Sequence, residues 1–214
     1  MENSPLVWLD LCSGLGGASQ PALDRGWKVI RVDIDPRFKP DIVADVRALP
    51  LKPFHVDVLW ASPPCQDFSK WGMRHFYPEP PAPDMSLAQG VRDFIERIQP
   101  RWWIVENVRS SRPFLTTLFG QVRANVPGHA LWSNQILLLP NIKAHKQFMG
   151  HDAVANWTTK SGRLTRQNKN RRAAGPLSRN GPAEAAKIPY EIGEAVCRAV
   201  EAAPSAASVA TVAK

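Results

Sequence analysis

Short apolar runs alternate with amphipathic stretches along most of the chain, and the two periods locate its elements. Residues 6–11 read as a strand that carries Asp10 near its end and leads into the turn Cys12-Ser13-Gly14-Leu15-Gly16-Gly17. Small and apolar residues then recur at helical spacing over 18–25, with Gly26 at the end. Residues 27–32 predict a second strand, closed by Asp33-Ile34-Asp35-Pro36, and 41–44 a short third that stops at Asp45. A buried strand over 56–61 runs straight into Pro63 and Pro64, and the Pro-rich stretch 70–84 predicts a long loop. An amphipathic helix is expected over 86–98, with Ser86 as its N-cap and Pro100 just beyond. Residues 102–105 form another apolar run, followed at once by Glu106-Asn107-Val108. Weaker strand signals lie at 121–126 and 131–138, and a last helix at 188–202. Strands alternating with helices predict an α/β fold: a mostly parallel sheet with helices on both faces.

The polar clusters are not scattered over this pattern. Residues 10–17, Asp33, Asp45, 62–69 and Glu106-Asn107 each fall at the carboxyl end of a predicted strand, where open parallel sheets bind ligands. Gly14, Gly16 and Gly17 let backbone pass close to a ligand and open a helix whose amides point at it. A carboxylate at Asp33 can hold two ribose hydroxyls, and one at Asp45 can take an adenine amino group. No phosphate-binding lysine follows the glycines. A ligand with adenine and ribose but no phosphate fits this set, and S-adenosylmethionine is such a ligand. An ordinary tight turn beside surface acids is the competing reading.

Composition narrows the classes. The 214 residues, 44% of them hydrophobic, suit one domain with a full core. Three cysteines, Cys12, Cys65 and Cys197, without a CxxC spacing argue against a disulfide framework and a structural zinc site. The five histidines are scattered, so no metal is expected. No apolar run is long enough for a bilayer and no basic-then-apolar segment opens the chain, so no membrane partner and a cytoplasmic location are expected. The net charge of +8 has one source. Ten basic residues lie between Lys143 and Lys187 against only Asp152 and Glu184, while the other 17 basic and 17 acidic residues cancel. A solvated loop would account for such a run, but a polyphosphate partner requires one, because each neutralised phosphate releases counterions.

Two side chains carry candidate chemistry. Cys65 follows two prolines that stiffen the backbone and remove two amide donors. A free cysteine is usually a small buried residue. Here the prolines and the polar Gln66-Asp67 favour presentation of the thiol, with a pKa lowered by nearby helix N-termini. Glu106 closes a very hydrophobic strand, where desolvation is expected to raise its pKa and make it an acid near neutrality, unless it merely caps the next segment. A nucleophile and an acid at neighbouring strand ends form a reacting pair.

Leu9 to Gly17, Ser62-Pro63-Pro64-Cys65-Gln66-Asp67-Phe68-Ser69 and Glu106-Asn107-Val108 resemble, in order and spacing, the cofactor, PCQ and ENV motifs of the C5-cytosine-specific DNA methyltransferase family. The resemblance covers about the first half of the chain. It implies a Rossmann-like, S-adenosylmethionine-dependent methyltransferase fold and attack of Cys65 on C6 of cytosine while Glu106 protonates N3. Methyl transfer to C5 would follow, then loss of the C5 proton and elimination of Cys65. Asn107 and Pro63 would help shape the base pocket. A cytosine in a duplex would be flipped out to reach it, and the loop 70–84, with Trp71, His75, Phe76 and Tyr77, would be its lid. Implied cofactor residues are Asp10, Cys12, Ser13, Gly14, Gly16, Gly17, Asp33, Ile34, Asp45, Val46 and Ser62; implied nucleic-acid residues are Gln66, Ser69, Arg163, Arg166, Arg171 and Arg172.

The chain departs from the family pattern in three places. Cys12 stands where the family usually has an aromatic residue, so Ile34 is expected to supply part of the contact to adenine. Only Ile188-Pro189 is similar to the family's loop before the last helix. Residues 142–187 are too short and polar for a separate target-recognition domain, and the family's arginine motif after the sixth strand is not identifiable. The expected organisation is a catalytic core over 1–142, a basic segment over 143–187, a returning helix over 188–203 and a disordered tail over 204–214. This small version resembles methylases of bacteriophage genomes and is expected to act on DNA with little sequence preference. The same chemistry on tRNA or a free cytidine nucleotide, and a non-catalytic nucleic-acid-binding regulator, are the alternatives.

Overall fold

The computed structural model describes residues 4–72, 79–126, 128–139 and 187–203. These form a seven-stranded sheet of β1 (Val7–Leu11), β2 (Lys28–Asp33), β3 (Ile42–Val43), β4 (Val58–Ala61), β5 (Trp102–Val108), β6 (Val122–Val126) and β7 (His129–Ser133). Their spatial order is β3-β2-β1-β4-β5-β7-β6. All neighbours up to β5 are parallel, and β7 runs antiparallel to both β5 and β6. The order reverses between β1 and β4, which opens a crevice at their carboxyl ends.

Alternation along the central strands explains why helices cover both faces. Leu9, Leu59, Val105 and Trp132 point into one core with α3 (Ser86–Ile98) and α4 (Arg112–Phe119). Their sequence neighbours Trp8, Trp60, Ile104 and Leu131 point into the other, with α1 (Gln20–Asp24) and the last helix, α5 (Tyr190–Ala202). A further helix, α2 (Gln66–Gly72), follows β4 directly. Helix α5 is fastened back onto α1 by a two-pronged pair, Arg25 Nη1 and Nη2 donating to the Glu194 carboxylate at 2.5 and 2.6 Å. The Rossmann-like α/β class expected from the sequence is therefore the fold observed.

Several boundaries differ from expectation, each for a visible reason. Helix α1 begins at Gln20 rather than 18, and its N-cap Ser19 makes no capping bond because its hydroxyl donates to Asp10 Oδ2 at 2.6 Å. The stretch 70–84 is not loop throughout: α2 continues to Gly72. Ser86 is the first residue of α3 and not its cap; Asp84 accepts both its amide (2.8 Å) and its hydroxyl (3.1 Å). The strand expected to 138 ends at Ser133 because Asn134 takes over the next rung, accepting the Trp103 amide at 3.0 Å and donating to the Arg101 carbonyl at 3.1 Å. Among the described residues no helix is long and apolar enough to cross a membrane.

Candidate active site

Two turns at the crevice carry most of the candidate residues. The first follows β1. Cys12 sits in the left-handed region at φ 55°, a conformation that costs a non-glycine residue about 1 kcal/mol. Burial, then Asp33, Asp10 and Asp45, push its thiol well above the ordinary range. Gly14 donates its amide to Asp33 Oδ2 at 2.8 Å, and the other Asp33 oxygen accepts the Asp35 amide at 2.9 Å. Gly16 adopts φ 72°, and a Cβ there would lie 2.8 Å from Arg31 Nε. Gly17 is small for a different reason than ligand approach: a Cβ would meet the Ile188 carbonyl at 2.6 Å, so this position seats the segment leading into α5. Gly14 alone of the three has nothing within 4 Å of where its Cβ would be. Beneath the turn Asp10 is 1% exposed, and desolvation lifts its pKa to about 7 against the opposing Ser19 hydrogen bond.

The other expected cofactor residues surround this turn. Ile34 is exposed just past β2, Val46 is buried after β3, and Asp45 is held by Arg47, whose Nη2 reaches Asp45 Oδ2 at 2.6 Å. Two buried polar atoms here, Ser13 Oγ and Arg31 Nε, have no hydrogen-bond partner among the described residues. Ser62 is spent internally: its amide donates to the Leu11 carbonyl at 3.2 Å and its hydroxyl accepts Trp60 Nε1 at 2.8 Å.

The second turn follows β4 and meets β5. Asn107 is 1% exposed, and its Nδ2 donates to the Pro63 carbonyl at 2.8 Å, so the Pro-Pro-Cys and Glu-Asn loops are locked together. Cys65 is partly buried just ahead of α2. Its thiol is not lowered as expected. Burial pushes it up and Glu106 adds to the rise, while a hydrogen bond with the Ser69 side chain offsets part of it. Gln66 is exposed at the start of α2, and the Ser69 amide donates to the Cys65 carbonyl at 2.8 Å. Glu106 is 6% exposed, and its Oε1 is in hydrogen-bond contact with Nδ1 of His129 on β7, 7% exposed. That histidine escaped the sequence reading. Its only local signal is a polar residue opening the apolar run 129–133, and antiparallel pairing of β5 with β7 is what brings it beside Glu106.

A cleft of about 260 Å³ opens beside the second turn, lined by Arg47, Pro63, Pro64, Asp67, Leu87 and Ala88 among others, and reaches neither Cys65 nor Glu106. Trp71, expected in a lid, packs edge-on against Phe114 with ring centres 5.0 Å apart and donates to the Pro81 carbonyl at 3.0 Å. His75, Phe76 and Tyr77 lie outside the described residues, as do Arg163, Arg166, Arg171 and Arg172. Among the described residues no group of three or more His, Cys, Asp or Glu could hold a metal ion.

Residues 7–112 match the family model of C-5 cytosine-specific DNA methylases. A protein of Frog virus 3 (isolate Goorha) named "Probable DNA (cytosine-5)-methyltransferase" is 32% identical over 116 residues, 49% of this chain and 54% of that one. The chain thus spans about half the length of that curated relative. Among solved structures, a protein encoded within an E. coli prophage gives a TM-score of 0.41 at 20% identity, over 60% of this chain and 46% of the other. The glycopeptide N-methyltransferase MtfA, complexed with S-adenosyl-L-methionine, gives 0.33 at 17% identity, over 50% and 49%.

Proposed function

The chain belongs, through residues 7–112, to the C-5 cytosine-specific DNA methylase family, and from that premise we propose that it methylates C5 of cytosine in DNA through a covalent bond between Cys65 and C6. The observation that carries this reading is the Asn107–Pro63 hydrogen bond, which fixes Cys65 and Glu106 on neighbouring strand ends, close enough for Glu106 to act on the thiol.

The turn after β1 suits S-adenosylmethionine. Ser13 Oγ and Arg31 Nε are buried polar atoms without hydrogen-bond partners among the described residues, Gly14 fronts open space, and each Asp33 oxygen has lone pairs beyond the amide it accepts. Asp10, Cys12, Ser13, Gly14, Gly16, Gly17, Asp33, Ile34, Asp45, Val46 and Ser62 would hold or shape that site, Gly17 and Ser62 from behind. When bound, the cofactor supplies an electrophilic methyl group.

The chain's own residues do the rest. The Cys65 thiol, raised by burial, passes its proton to water as its sulfur bonds to C6 and regains one when that bond breaks. Glu106 donates a proton to N3 as charge develops there, which makes C5 nucleophilic. After methylation a water removes the C5 proton, the Cys65–C6 bond breaks and N3 returns its proton to Glu106. Asn107 and Pro63 keep the two loops in register. Gln66 and Ser69, at the start of α2, face the strand bearing the base, and the basic segment 143–187 grips phosphates with little reading of sequence.

Tritiated methyl transfer to duplex DNA, single-stranded DNA, tRNA and dCMP tests this reading. Incorporation into DNA is expected. Incorporation only into tRNA or dCMP would keep the chemistry and replace the substrate, and none into any of them would favour a binding protein. Replacing Arg171 and Arg172 should weaken DNA binding and flatten its salt dependence.

A further inference from the structure

The mechanism leaves one buried titratable side chain beside the reacting pair without a task. His129 opens β7, where it pairs with Val108 on β5, and its Nδ1 contacts Glu106 Oε1 two residues back along that strand. Both side chains are more than nine-tenths buried. Among the described residues, Cys65 lies in the field of Glu106, which adds to the rise that burial causes in its thiol, and Arg109 donates from Nη2 to the carbonyl of Val126, the β6 residue opposite His129, at 3.3 Å. Burial takes water from Glu106 and an imidazole edge stands against its Oε1, and a carboxyl group that must lose a proton during the reaction needs a donor to steady the charge it leaves behind.

We propose that His129 is the positioning residue for Glu106, a neutral imidazole whose Nδ1–H donates to Oε1 and so turns the protonated Oε2 toward N3 of the target cytosine. The inference rests on the function proposed above. The step balances without further reagents. As the sulfur–C6 bond forms, the proton on Oε2 moves to N3, the carboxyl group becomes carboxylate, and the Nδ1–H bond to it becomes charge-assisted and stronger. On elimination the proton returns to Oε2, and His129 itself neither gains nor loses one.

Two measurements on the full chain test this. The first is the steady-state kinetics of methyl transfer to DNA. In His129→Leu kcat should fall roughly 100-fold while KM for the cofactor stays within twofold. His129→Asn keeps an amide donor near the place of Nδ1, so it should recover most of the rate. An unchanged kcat in His129→Leu, or a His129→Asn variant as slow as His129→Leu, overturns the role. The second needs no activity: ¹⁵N shifts of the His129 ring. Wild type should show the neutral Nδ1–H tautomer, and Glu106→Gln should shift it toward Nε2–H. A bare Nδ1 in wild type overturns the proposal even if the chain methylates cytosine; the expected tautomer in a chain that methylates nothing would leave the pairing standing and refute the proposed function instead.

Discussion

The turns after β1 and β4 each place a cysteine at the carboxyl end of a central parallel strand, and burial raises the pKa of both thiols. Their surroundings part them. Cys12 is ringed by Asp10, Asp33 and Asp45, each adding to the rise, and its backbone is held left-handed by the turn. Cys65 faces a single carboxyl group, Glu106, whose other neighbour is His129, and it accepts help from Ser69. Position at a strand end is thus common to both thiols, and the charges around each set them apart. The two turns are also built differently. The first is closed by hydrogen bonds within about twenty residues, such as Gly14 with Asp33, with Gly17 seating the distant Ile188, whereas the second needs Pro63, Asn107 and His129 from three separate strands or their ends.

If that division is right, damage to the second turn should stop the reaction and damage to the first should weaken the cofactor's hold. The largest effect is expected from Cys65→Ser, which should lower methyl transfer by about three orders of magnitude or more while the cofactor Kd moves less than twofold; calorimetric titration with the cofactor checks the second half. Next comes Asp10→Asn. Asp10 has a folded pKa of about 7 against an unfolded value near 3.8, so its protonated form favours folding, fully below pH 4, and that stability is lost as pH rises through about 7. The neutral variant should therefore be more stable than wild type at pH 8, by about 3 kcal/mol, and indistinguishable near pH 4 in urea melts. Asp33→Ala should weaken cofactor binding roughly 30-fold, about 2 kcal/mol, with kcat at saturating cofactor nearly unchanged. Cys12→Ser should be the mildest, altering kcat and cofactor KM by less than about threefold. A loss in Cys12→Ser comparable to that in Cys65→Ser would erase the distinction between the turns.

The β1 turn was legible because its partners are near in sequence: a glycine run, then a carboxylate after the next strand. The sheet class followed from the alternation of apolar runs with amphipathic ones. The sequence also carried Cys65 and Glu106, since each ends an apolar run. Their link through Asn107 and Pro63 was anticipated only as shared pocket walls, and His129 not at all, because an antiparallel register 23 residues distant leaves no local period. The expectation of a lowered Cys65 pKa failed for a related reason. Helix N-termini can be read from a sequence, but the depth of burial that outweighs them is set by the tertiary fold. Helix α2 itself was hidden in a proline-rich stretch whose first three residues, 70–72, are helical.

The central claim is that the sulfur of Cys65 bonds to C6 of the target base, and trapping that bond tests it most directly. With duplex DNA bearing 5-fluorocytosine and S-adenosylmethionine, the fluorine blocks the final elimination. Wild type should then give a denaturation-resistant protein–DNA adduct whose peptide mass maps to Cys65, absent in Cys65→Ser. An adduct that persists in Cys65→Ser, or no adduct in a wild-type chain that methylates unmodified DNA, would contradict it.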